Sequence, residues 1–160
     1  MPAARHAPRN LQEEIGKTTA FDCPEQEAYL NIVRTHAGLV GEFAQLFKEF
    51  GLSDAQYNAL RIVGAAGARG VRSEIVGAQM VARAPDTTRL IDRLVSAGLA
   101  ARTRSEEDRR CVVVTITGEG RQVLRRLRPR VDRLHRQQLR HLGRRQLAQL
   151  NELLFRARHP

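Results

Sequence analysis

Tryptophan is absent from the 160 residues and aromatics amount to 4%, too few rings for a sugar- or base-stacking platform. Lysine is scarce as well, outnumbered by arginine twenty-five to two. Two cysteines, Cys23 and Cys111, are too few for a disulfide framework or a zinc cluster. No run of about 18 apolar residues occurs, which removes a membrane span from consideration. No apolar N-terminal segment leads to a small-residue cleavage site either, so a cytoplasmic protein is expected. There is no Ser/His/Asp arrangement of recognisable spacing, no phosphate-cradling glycine loop and no metal-ligand cluster. Hence neither an enzyme activity nor a cofactor is expected. What is present, 42% apolar and 28% charged residues, can build one aliphatic core, and the length suits one domain with helical extensions.

The formal charge of +10 invites a polyanionic partner, but its distribution qualifies that. Residues 121–158 hold twelve Arg against Asp132 and Glu152, leaving fifteen bases against fifteen acids elsewhere. Residues 13–49 instead carry seven acids against Lys17, Arg34 and Lys48. Much of the C-terminal Arg series is therefore expected to pack near this acidic segment, its exposed remainder attracting DNA at long range.

Residues 1–22 show no sustained period and are expected to be a flexible arm. From Pro24 to Phe50 apolar residues recur at three-and-four spacing, predicting one helix with a buried stripe. Ser53-Asp54-Ala55-Gln56 has the form of a capping box opening a second helix through about Gly64. After a glycine loop, Ser73 is expected to cap a short helix carrying Ile75, Val76 and Met80. Pro85 then starts a helix whose inward stripe is Thr87, Leu90, Ile91, Leu94 and Val95. Two such neighbouring helices make a helix-turn-helix. Residues 99–104 and 111–116 read as the strands of a hairpin, or wing. Thr117 caps a long helix to about His141, kinked at Pro129, and Gly143 separates it from a last helix. The terminal helices offer more apolar surface than one such module covers, which favours a homodimer. The fold expected is mainly α with a small β-wing: an arm over 1–22, dimerisation helices over 23–50 and 118–160, and a winged helix-turn-helix over 51–117.

The run Asp108-Arg109-Arg110-Cys111-Val112-Val113-Val114-Thr115-Ile116-Thr117-Gly118-Glu119-Gly120 resembles the wing pattern of the MarR family of bacterial regulators. Gly51-Leu52-Ser53, Gln56-Tyr57-Asn58-Ala59-Leu60 and Thr88-Arg89-Leu90-Ile91-Asp92-Arg93-Leu94 add to the resemblance, which covers about residues 24–155. It implies a dimer with interlocking terminal helices whose two winged domains bind a palindromic operator, a ligand-responsive repressor. On that reading Pro85, Asp86, Thr88 and Arg89 face base edges or phosphates in the major groove, with Arg89 the direct reader. Arg93, a turn further on, makes a base or phosphate contact or an intramolecular ion pair. Arg110 enters a narrow A·T-rich minor groove, held in line by Asp108, and the helix start at Ser73 holds a phosphate.

The family commonly places an effector pocket beside the first helices. His36, Tyr57 and Arg61 are candidates there for an anionic aromatic or phenolic ligand. An isolated His is otherwise an ordinary hydrogen-bonded residue. Cys23 at a helix start admits a redox-sensing repressor, although a small residue suffices there and Asp22 opposes a thiolate. Cys111 reads as a packing residue. The competing reading from a different class is a non-specific, basic DNA-coating protein.

Overall fold

The computed structural model describes residues 8–82, 86–104 and 112–159. They form α1 (Leu11–Glu14), α2 (Pro24–Lys48), α3 (Asp54–Ala65), α4 (Ser73–Gln79), α5 (Thr87–Ser96), β1 (Ala100–Arg104), β2 (Val112–Ile116), α6 (Gly118–Leu139) and α7 (Arg144–Ala157), with a 3₁₀ turn at Gly67–Arg69. The architecture is mainly helical with a two-stranded antiparallel sheet. Among the described residues no helix is long and apolar enough to cross a membrane.

Two compact units divide the chain, Met1–Gly41 and Glu42–Pro160. In the first, α1 forms inside the stretch expected to lack structure. The Asn10 side chain accepts a hydrogen bond from the Glu13 amide, Leu11 is buried, and Glu14 pairs with Arg34 at 2.9 Å. One capped turn with one apolar anchor is too short to leave a period in the sequence.

The second unit has a single aliphatic core. Leu60, Val63, Val76, Ile91, Leu94, Val114 and Leu127 are its largest fully buried side chains, supplied by α3, α4, α5, β2 and α6. Burial of this kind, worth about 25 cal/mol per Å² of apolar surface, drives these short elements together where their isolated propensities would not. Local chemistry then sets the boundaries. Ser53 accepts from the Gln56 amide while the Gln56 side chain accepts from the Ser53 amide, so the expected capping box opens α3. Thr117 accepts from the Gly120 amide and donates to the Gly98 carbonyl, tying the start of α6 to the end of α5. Along α6 the buried positions are Gly120, Val123, Leu127, Val131 and Leu134, and the helix runs on through Pro129.

One local expectation needs correction. Ser73 is the first residue of α4 rather than its cap: Arg72 occupies that position with extended backbone, and no side chain caps the helix. Of the apolar residues on α4, Ile75 is 44% exposed, whereas Val76 is fully buried. Successive helical residues point about 100° apart, so with Val76 turned inward its neighbour Ile75 is left at the surface.

Candidate nucleic-acid interface

The helix-turn-helix is set by a close approach between α4 and α5. A Cβ on Gly77 would lie 2.8 Å from the Thr87 hydroxyl oxygen, so the α4 backbone sits directly against the first turn of α5. On the inner side of α5, Leu90, Ile91 and Leu94 are buried and Thr87 and Val95 half-buried, the stripe expected from spacing. The outer side holds Thr88, Arg89 and Arg93, all exposed. This division leaves one helical face anchored and the other polar, at a width that the roughly 12 Å major groove admits.

The N-terminus of α5 is capped by Asp86, whose Oδ1 accepts the Arg89 amide at 2.9 Å. Its Oδ2 lies 3.0 Å from Arg89 Nε. A turn later Asp92 pairs with Arg102 of β1, joining α5 to the hairpin. That link was not foreseen, because an α5 carboxylate and a β1 guanidinium ten residues apart share no local periodicity.

The hairpin pairs Ala100 with Ile116 and Arg104 with Val112. Val71, just before α4, exchanges two backbone hydrogen bonds with Val114, of 2.9 and 2.8 Å, and so adds a bridge on the far side of β2. The turn feeding this bridge uses Gly70 at φ +69°, where a Cβ would meet the Val114 carbonyl oxygen at 2.9 Å. Sheet, α3 and α5 therefore support one another. Pro85, Asp108, Arg110 and Cys111, four residues singled out from sequence, lie outside the described residues. Ser73 is half-buried at the first turn of α4.

Of the ligand candidates, His36 is exposed on α2 in the first unit, while Tyr57 and Arg61 lie one turn apart on α3 in the second. The Tyr57 ring stacks on Phe47 with centroids 4.3 Å apart. Burial raises the Tyr57 pKa above its ordinary value, and the nearby Arg61 charge partly offsets this. Arg61 donates to the Asn58 side-chain oxygen at 3.2 Å. Cys23 is exposed, and its thiol hydrogen-bonds the Glu25 carboxylate; after Glu25's own backbone contact, this helps hold that carboxyl below its usual range. Among the described residues no group of three His, Cys, Asp or Glu is placed to hold a metal.

Arg130 of the Arg-rich α6 makes an acid contact of the kind its charge suggested. Arg130 forms a two-pronged pair with Glu49 at 2.7 and 3.0 Å, and Arg126 and Arg130 both lie over the Phe50 ring. The pair lowers the Glu49 pKa, chiefly through the Arg130 hydrogen bond. It flanks a polar groove of about 350 Å³ between the end of α2 and α6.

The family model for MarR matches residues 52–112, the span from α3 into the hairpin. Over a longer stretch, a MarR transcription factor from Planctomyces limnophilus is 38% identical, covering 84% of this chain and 98% of that one with a TM-score of 0.64. The chain belongs to the MarR family of transcriptional regulators. Two further relatives of this MarR chain share its fold at lower identity. CouR from Rhodococcus jostii RHA1, solved bound to p-coumaroyl-CoA, is 24% identical with a TM-score of 0.71, covering 88% of this chain and 97% of its own. BpsR from Bordetella bronchiseptica, whose DNA binding is regulated by 6-hydroxynicotinic acid, is 22% identical with a TM-score of 0.72, covering 89% and 99%. No curated protein matches the chain.

Proposed function

We propose that this MarR-family chain is a homodimeric repressor that binds a pseudo-palindromic operator sequence-specifically and is released by a small anionic aromatic ligand. The observation that carries the reading is the division of α5, with Leu90, Ile91 and Leu94 anchored inward and Thr88, Arg89 and Arg93 exposed outward beside a β-hairpin. A helix so mounted presents a polar face to the major groove, and a two-fold dimer sets two such helices about one turn of duplex apart. Support for self-association comes from apolar surface the single chain leaves uncovered: Tyr29, Ile32 and Val33 on α2, and Leu153 and Phe155 on α7. Arg110, supported by Asp108, takes the minor-groove role, and Ser73 at the start of α4 a phosphate. Ligand release rests on Tyr57 and Arg61, an aromatic and a cation one turn apart. A ligand of this class needs only to favour a spacing of the two reading helices that misfits the operator.

Selection from a random duplex pool at near-physiological salt tests this. An enriched inverted repeat, held against an excess of unrelated DNA on the order of 10³, is the expected outcome. Binding that unrelated DNA displaces equally well would instead mark a basic coating protein. Phenolic acids added to the specific complex should weaken it. Arg110→Ala should lower affinity mainly for sites with A·T-rich flanks.

A further inference from the structure

We propose that Asp86 is a positioning residue for Arg89, aiming the free edge of its guanidinium at a guanine in each half-site; this rests on the DNA-binding reading above. The Asp86 carboxylate holds Arg89 twice. Oδ1 accepts the Arg89 backbone N–H at 2.9 Å, which orients the carboxylate relative to the helix axis. Oδ2 lies 3.0 Å from Nε of the same residue, an ion pair that draws the guanidinium toward the carboxylate. The Arg89 side chain remains 83% exposed, so its terminal donors stay open to a ligand. A pair this exposed contributes little to holding the fold together, so its effect belongs to what Arg89 meets next.

The chemistry of the exposed edge selects its target. Two parallel N–H donors match the adjacent O6 and N7 acceptors of guanine, whereas adenine sets an amino donor beside its N7. A phosphate fits less well, because the Asp86 charge next to the fork repels it. Holding the fork beforehand removes part of the ordering cost that a free arginine meets on binding. The neighbouring candidate reader Arg93 lies on the next turn, beyond the cap that supplies this carboxylate.

The test measures affinity for the selected site carrying each of the four bases at every half-site position, using the full chain. Arg89→Ala should reduce the preference for guanine at one position by about ten- to a hundredfold. Asp86→Asn retains a good helix cap, so its melting curve should match the wild type. It should nonetheless lose about three- to tenfold of that same guanine preference, while binding unrelated DNA more tightly because a negative charge has left the interface. In the Arg89→Ala background, Asp86→Asn should change base preference no further. The proposal is overturned if Asp86→Asn keeps the guanine preference, if its effect persists without Arg89, or if the position sensitive to Arg89 is not a guanine. Should the wild-type chain enrich no sequence at all, the DNA-binding reading fails first and this inference with it.

Discussion

Helices α5 and α7 are both amphipathic, yet they use their apolar faces differently. In α5 the stripe of Leu90, Ile91 and Leu94 is buried within its own chain. In α7 no residue is buried, and Leu153 and Phe155 are 62% and 58% exposed. A stripe alone therefore does not say what will cover it. The anchored helix has a polar outer face in a fixed position, suited to reading a surface. The unanchored one has an apolar face still to be covered, suited to joining a second chain. Charge follows a related division: Arg130 of α6 is paired with Glu49 inside the chain, whereas Arg89 of α5 keeps its fork outward.

The sharpest way to break this contrast is to truncate each face. Leu94→Ala should destabilise the fold by about 2–5 kcal/mol in denaturant unfolding, because a fully buried side chain leaves a cavity behind. Introducing charge on α7 with Leu153→Asp and Phe155→Asp should leave helical content intact but weaken self-association by at least about tenfold, roughly 1.4 kcal/mol, in sedimentation equilibrium. Equal unfolding losses in both helices would erase the distinction.

Smaller effects test the helix starts. Ser53→Ala should cost about 1 kcal/mol by breaking a capping box, while Ser73→Ala should stay within about 0.5 kcal/mol, since its helix has no side-chain cap. The smallest concerns Glu49, whose carboxyl pKa is lowered in the fold by Arg130. A lowered carboxylate pKa adds stability above the ordinary range and loses it as pH falls through the folded value. Glu49→Gln should thus melt slightly below wild type at neutral pH. That gap should close as pH falls through the lowered folded value, where the carboxylate becomes protonated.

Much of the fold was legible because its signals are local. The Ser53/Gln56 box, the α5 stripe, the Val-rich β2 and the Thr117 cap each lie within a few residues and each forms as read. The α4 start was misread because Ser73 has the composition of a cap, while the extended backbone that defines one belongs to Arg72. Contacts across the chain left no such mark. Arg130 and Glu49 are 81 residues apart, and nothing distinguishes that arginine from its eleven neighbours in residues 121–158 before the helices pack. Of the interface, the outward face of α5 was readable from period alone. The contact of Asp86 with Arg89 was not, since sequence put both residues toward DNA without pairing them.

The account stands on two anchored reading helices presented together to one duplex. A hydroxyl-radical footprint on the selected site addresses that most directly. Two protected patches on one face, centred about one helical turn apart and related by the site's dyad, are the predicted result. A single patch, or even protection along the whole fragment, would contradict it.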